Sequence, residues 1–324
     1  VQLFYFAVQT PDLYMVSSKS FSRFAVAFLF VILIIGLTFV KYWVTKFNSA
    51  FLITFPDKIS TVIMGDSHAE ACLNPAYIEN SISLALSSEK AAFTYYKLRN
   101  VIEHNPQVHK VILAYSNHSL FVTGDSGAAE MMHRYHNIID QDFYSQYFKY
   151  EGWNAIYYST YLIDSCSLPF GLINDIYTYM KIRVASKPPY VLGGFQESNK
   201  SLIGNTKCLK STVNRQYYNG SKPRNVSQLE VLYLNKIIRL CNDNKLKLYL
   251  INTPVHKDYY QTIPKRAIQV TNKLASLVVS ENVTYIDKSN MNIPDDYWSD
   301  YDHLNGRGAV FFSQIIKEQI NLSK

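Results

Sequence analysis

Four short apolar runs, Ser60 to Met64, Ile82 to Leu86, Lys110 to Tyr115 and Leu246 to Asn252, constrain the fold of this chain more than any other feature. Each has the length of a strand and is largely apolar, as strands buried on both faces of a parallel sheet are. A fifth, shorter run covers Val283 to Ile286. Between and after these runs the apolar period becomes that of a helix. Ser227 and Glu230 form a capping box ahead of LEVLYLNKIIRLC, where Leu229, Leu232, Ile237 and Leu240 recur at helical spacing. The same period runs through residues 267–279 and 309–320. Strands alternating with helices predict an α/β fold whose five-stranded, mostly parallel sheet is covered on both faces.

The alternation breaks from Leu120 to Arg224, a segment crowded with aromatic residues, as in YSQYFKYEGWNAIYYSTYLI at 144–163. A structureless loop of that length does not suit a compact domain, so a partly helical insertion is expected at about 120–224. With 26 Tyr and 18 Phe in the chain, two roles stay open for the insertion's rings: a small local core, or a wall facing substrate.

Ahead of the folded part, Phe24 to Val40 reads FAVAFLFVILIIGLTFV without a charge. As a helix rising 1.5 Å per residue, residues 24–43 reach across roughly 30 Å of hydrocarbon. Lys19 and Arg23 precede the run, Lys41 and Lys46 follow it, and Tyr42 with Trp43 suit the interface. A cleaved signal peptide is the competing reading, but the run exceeds the usual ~7–15 residues of such a segment and no A-x-A site follows. The expected organisation is therefore an amino-terminal segment at 1–23, a single-pass anchor at 24–43, a linker at 44–57 and a folded domain at 58–324. Met15 would itself serve as a start, so the residues before it are left out of the fold reading. The flanking charges weakly favour an inside amino terminus, which places the domain outside the cytoplasm, periplasmic or extracellular.

The net charge of +7 does not imply a nucleic-acid partner, because Lys and Arg are scattered and form no basic cluster. Cys72, Cys166, Cys208 and Cys241 are far apart and include no C-x-x-C, so neither a zinc site nor a redox motif is indicated. Outside the cytoplasm they could pair as disulfides, in a pattern the spacing does not reveal. His133 and His136 share a helical spacing, but no carboxylate or cysteine stands near to complete a ligand set; no metal and no cofactor is expected.

Two blocks carry the chemistry. MGDSHAEA at 64–71 follows the first strand and sets Asp66, Ser67 and His68 side by side. In a parallel α/β sheet, functional groups gather in loops at the carboxyl ends of strands, where this turn lies. DDYWSDYDHLNGRGAVFF at 295–312 leads into the last helix, with Asp300 and His303 three apart. A serine hydroxyl becomes a useful nucleophile only when a base removes its proton, and the base needs an acceptor on its other nitrogen. Ser67 is the candidate nucleophile, His303 the base and Asp300 the orienting acid. Asp302 competes for the last role because it adjoins the histidine. His68 either touches substrate or lies at the surface, while His104 and His109 flank Pro106 in a polar turn.

Together, G-D-S after the first strand and D-x-x-H-L-N-x-x-G before the last helix resemble the first and last signature blocks of the SGNH, or GDSL, hydrolase superfamily. The resemblance covers roughly residues 58–118 and 228–322. It implies a three-layer α/β/α sandwich of flavodoxin-like form and an acyl-serine mechanism on Ser67, His303 and Asp300. It also implies an oxyanion hole built from the Ser67 backbone N–H, a glycine after the second strand and an asparagine after the third. Here Asn117 matches the asparagine of the family's G-x-N-D, with Tyr115 for its Gly and His118 for its Asp. No glycine occurs between Gly65 and Gly124, so Ser88 stands in through its backbone N–H. An anchored domain of this kind is similar in architecture to envelope proteins that move acyl groups onto cell-wall polymers. The expected activity is a serine esterase or O-acyltransferase acting on acyl, above all acetyl, esters of a cell-envelope glycan. The alternative is a degenerate domain that binds a glycan or serves as accessory to a multi-spanning acyltransferase.

Overall fold

The computed structural model describes residues 18–48, 54–121, 135, 138–151, 193–202 and 206–322. The chain divides into two compact units, 1–50 and 51–324. In the first unit a single helix, α1 (Ser18–Asn48), contains the expected anchor at 24–43. Its described apolar side chains, among them Phe28, Phe30, Ile32 and Ile35, are exposed. Side chains at 37, 38 and 40–48 lie outside the described residues. Among the described residues no helix is long and apolar enough to cross a membrane.

The second unit is built on five strands, β1 (Thr61–Met64), β2 (Ser81–Ser83), β3 (Lys110–Ala114), β4 (Lys247–Asn252) and β5 (Val283–Asp287). They form one sheet in the order β2-β1-β3-β4-β5, parallel at every pairing. Thr61 is in register with Ser81 and Lys110, Lys110 with Lys247, and Leu248 with Val283. Four of the five sequence-derived strands keep their places to within a residue, whereas the run expected at Ile82–Leu86 is a strand only at Ser81–Ser83. Beyond it Leu84 N still donates to Ile63 O and Leu86 N to Gly65 O, but Ala85 O accepts from Gly194 N. The chain then turns at Ser88, whose φ is +63°.

Successive side chains of a strand point to opposite faces, and here both faces are covered. Val62, Met64, Val111, Leu113, Leu248 and Leu250 share one core with helices α3 (Ala91–His104), α6 (Gln228–Asp243) and α8 (Lys265–Val278). Ile63, Ile112, Ala114, Tyr249 and Ile251 share the other with α2 (Ser67–Cys72) and α9 (Gly306–Leu322), through Ala69, Phe312 and Ile316. Each such large side chain, buried fully, contributes roughly 1.5–3 kcal/mol. That is why the central strands tolerate few polar residues.

Two further helices of the second unit come from the insertion, α4 (Gln141–Glu151) and α5 (Thr206–Tyr217), and one, α7 (Lys257–Thr262), follows β4. Several of the described aromatic residues of the insertion are core, while Tyr150 is exposed. Tyr135, Phe143 and Tyr147 are buried, with the Phe143 ring 5.8 Å from that of Tyr96 and 5.6 Å from that of Tyr147. His133, His136 and residues 152–192 lie outside the described residues. The capping box is half built: Ser227 Oγ accepts from Glu230 N at 3.3 Å, while the Glu230 carboxylate accepts from Ala91 N at 3.1 Å. Glu230 thus caps α3 instead of its own helix, tying two neighbours on one face of the sheet. Cys72 and Cys241 are free, buried thiols, pushed up to about 12 by burial, and the side chains of Cys166 and Cys208 lie outside the described residues.

Candidate active site

The turn after β1 requires Gly65. Its φ is +130°, and a Cβ there would lie 2.8 Å from the Ala114 carbonyl oxygen at the end of the neighbouring strand. Asp66 then caps α2, its Oδ1 accepting from His68 N at 2.9 Å, and Ser67 becomes the first residue of the helix. The Ser67 amide is among the first-turn donors that have no partner within their own helix.

On the other side, the loop before α9 folds on itself. Ser299 N and Asp300 N donate to His303 O, while Asp300 Oδ1 accepts from Asp302 N at 3.0 Å and from His303 N at 2.8 Å. Asn305 ends this loop, its Oδ1 accepting from Gly308 N at 3.1 Å in the first turn of α9. These bonds present the imidazole to Ser67: His303 Nε2 is 2.9 Å from Ser67 Oγ. The other ring nitrogen, Nδ1, lies 3.0 and 3.1 Å from the two Asp300 oxygens and 3.4 Å from Asp302 Oδ1. Residues 236 positions apart in the chain, both singled out from sequence, therefore meet at hydrogen-bond distance.

The two acids differ in surroundings. The Asp300 side chain is 49% exposed and that of Asp302 is 5% exposed. Asp302 Oδ2 accepts from Gln216 Nε2 at 2.9 Å, and Gln216 Oε1 accepts in turn from Tyr259 Oη. Burial favours the neutral form of His303, but hydrogen bonds to Asp300 and Asp302, and their charges, outweigh it and raise the pKa to about 10. Burial likewise opposes ionisation of Asp302, yet its hydrogen bond to His303 and the charge of His303 hold the carboxyl far below the usual range.

A second histidine–aspartate pair adjoins the first. His118 Nε2 is 2.9 Å from Asp66 Oδ2, so the residue standing where the family has an aspartate reaches back to the G-D-S block. Asp66 is held well below the usual carboxylate range: burial works against this, and the His118 charge and hydrogen bond overcome it. Between the pairs lies His68, 1% exposed, its ring 4.5 Å from that of His118 and 5.0 Å from that of His303. Burial, then the His118 charge, lower its pKa to about 3, so it is a neutral spacer between two polar pairs. Of the two places open to His68 in the sequence, neither the surface nor the substrate side holds it. Its Nδ1 lies 3.1 Å from Thr253 Oγ1, in the interior.

Of the expected oxyanion residues, Ser67 and Ser88 line the same cleft, of about 300 Å³, and Asn117 does not. Asn117 is buried, and its Oδ1 accepts from Asn252 Nδ2 at 3.2 Å, because the end of β4 stands next to it. Ser88 takes the left-handed conformation that glycine adopts freely. Behind it Glu89 and Lys97 form a buried pair, with Lys97 Nζ also donating to Leu84 O and with Thr94 and Tyr135 donating to Glu89.

The cleft is part apolar, with Leu113, Ala114, Tyr115 and Ile237 in its lining. A second hollow, of about 690 Å³, shares Ser67 and His303 with the cleft. Its wall is the segment 193–202, tied down by Gly194 N to Ala85 O at 2.7 Å, Gln196 N to Glu70 O at 2.9 Å and Gly306 N to Ser198 O at 2.9 Å. No local sequence signal marks this strap, because its partners come from three distant elements. One trio among the described residues, His68, Asp302 and His303, brings its possible ligand atoms within 4.8 Å of one another.

Comparison with known proteins adds little to this geometry. The model of an uncharacterised family matches residues 207–323, less than half of the chain. That stretch carries Asp300, Asp302 and His303 but not Ser67. No curated protein matches the chain.

Proposed function

We propose that this protein is a serine esterase or O-acyltransferase of the SGNH type, anchored in a membrane by α1, with its catalytic unit outside the cytoplasm and an acylated envelope glycan as substrate. The observation that carries the reading is the contact of 2.9 Å between Ser67 Oγ and His303 Nε2, with an Asp300 oxygen 3.0 Å from His303 Nδ1. The parallel sheet in the order β2-β1-β3-β4-β5, with helices on both faces, supports the same assignment. The uncharged apolar run at 24–40 supports the anchor.

In the proposed first step Ser67 Oγ attacks the acyl carbonyl as its proton passes to His303 Nε2. The tetrahedral oxyanion accepts hydrogen bonds from the backbone N–H groups of Ser67 and Ser88, each such donor being worth roughly 3–4 kcal/mol in comparable sites. Collapse breaks the bond to the leaving alcohol, which takes the proton from His303, and leaves an acyl-serine. Water or a hydroxyl group then attacks this ester, with His303 again accepting the proton. The cleft lined by Leu113, Ala114 and Ile237 suits the apolar end of a short acyl group.

Asn117 favours a second reading. It is buried and does not line the cleft, so one expected oxyanion donor is missing there, as in a domain that binds a glycan or assists a multi-spanning acyltransferase without turnover. One experiment separates the two. Full-length protein in detergent micelles is assayed with p-nitrophenyl acetate beside Ser67→Ala. Nitrophenol release that falls at least a hundredfold in the variant is the expected result; release of equal size in both, or none in either, favours the non-catalytic reading.

A further inference from the structure

The two hollows that meet at Ser67 differ in the residue types that line them. Apolar and polar residues mix in the inner cleft's lining, whereas the outer one is lined mainly by polar residues, whose aliphatic stems still leave its surface about half apolar. Of its lining side chains only Ala71 is apolar; the rest are hydroxyl, amide, carboxylate, ammonium or imidazole groups. Hydrolysis needs no such place, since a water molecule can reach an acyl-serine from any open side. A groove that presents both donors and acceptors beside Ser67 matches a ligand carrying many hydroxyl groups. The strap that bears Gln196, Ser198 and Asn199 is held by backbone hydrogen bonds to α2, to α9 and to Ala85 beyond β2, so its backbone is set beside the groove.

A second observation marks one residue within the groove. Glu70 lies one helical turn beyond Ser67, on the same face of α2. It is 4% exposed and lines the groove, its Oε2 accepts from Ser87 Oγ, and its Oε1 has no hydrogen-bond partner. A buried carboxylate oxygen without a partner is costly, and a donor supplied by a ligand would satisfy it.

We propose that the outer groove is the acceptor subsite for a polyhydroxylated alcohol, and that Glu70 Oε1 accepts a hydrogen bond from one of its hydroxyl groups, so that the reaction ends in acyl transfer rather than hydrolysis. This rests on the acyl-serine reading above. In the transfer step the acceptor oxygen forms a bond to the acyl carbon, and the bond from that carbon to Ser67 Oγ breaks. The acceptor's proton passes to His303 Nε2 and from there to Ser67 Oγ. No other reactant is required.

The test uses the full-length protein in detergent micelles with p-nitrophenyl acetate as donor and, in parallel, glycerol or methyl glucoside as acceptor. Nitrophenol release reports acylation, and mass spectrometry reports acetylated acceptor against free acetate. In the wild type, acetylated acceptor should exceed free acetate. Glu70→Gln, which keeps the side-chain shape, and Asn199→Ala, on the strap, should each lower the ratio of transfer to hydrolysis about tenfold, the effect of losing one good hydrogen bond. Transfer to either acceptor, lowered in this way, supports the subsite, and the preferred acceptor tells a linear polyol from a ring. Serine-dependent acylation with free acetate as the product at every acceptor concentration overturns it, as does a ratio unchanged in both variants. Absence of any Ser67-dependent nitrophenol release overturns the acyl-serine reading itself, and this inference with it.

Discussion

Two carboxylates converge on one ring nitrogen of His303, and this sets how the residue behaves with pH. Burial pulls its pKa down, and the two acids more than reverse that, so it titrates near 10 instead of the ordinary 6.5. A base must be neutral to accept the Ser67 proton. Activity should therefore rise about tenfold per pH unit through the neutral and mildly alkaline range and level off above about 10. The sign for stability is opposite. With its pKa raised in the folded state, the ion pair stabilises the fold fully below about 6.5 and loses that contribution as pH climbs through about 10. Asp302, nearly buried, is little screened by solvent, so Asp302→Asn should move the activity midpoint down toward 6.5. Rates of p-nitrophenyl acetate cleavage against pH, corrected with Ser67→Ala, measure that midpoint; a variant midpoint equal to that of the wild type would sink the argument. Sequence spacing identified both acids but could not rank them, because burial and the Gln216 contact depend on residues far away in the chain.

At the scale of elements, the strand-to-helix turn depends on one glycine. A methyl group at Gly65 would meet the backbone of Ala114, which cannot move without displacing β3. Gly65→Ala should cost about 2–3 kcal/mol of unfolding free energy, from the left-handed backbone and the close approach together. Urea denaturation of the full-length protein measures this, and a loss below about 0.5 kcal/mol would show that the turn relaxes more easily than the distance implies. Elements of this kind were legible to different degrees. Strands β1, β3, β4 and β5 could be read because burial on both faces forces continuous apolar runs. The α9 boundary could be read because Leu304, Asn305 and Gly306 signal a turn. The hidden features were those with distant partners. Glu230 leaves its capping box for Ala91, Asn117 turns to Asn252, and the strap at 193–202 is held by Ala85, Glu70 and Gly306. None of these pairings leaves a periodic trace in the chain.

For the molecule as a whole, the proposed membrane anchor can be told from attachment by charge alone. A net charge of +7 attracts a protein to anionic lipid even without an anchor, and such attraction weakens with salt because the Debye length shortens to about 3 Å at 1 M. Insertion of the apolar run at 24–40 rests instead on burial of Phe, Leu, Ile and Val side chains, which salt does not oppose. The two attachments therefore respond differently to the same wash. If α1 is the anchor, the full-length protein should stay with the membrane fraction through high salt and alkaline carbonate and leave it only in detergent. Replacing Ile32 and Ile35 by Asp and Lys puts two charges near the centre of that run, at roughly 2.5–3.5 kcal/mol each. That variant should shift to the salt-extractable fraction. Release of the unaltered protein by salt alone would leave charge as the only attachment, and would remove the argument that its catalytic unit faces away from the cytoplasm.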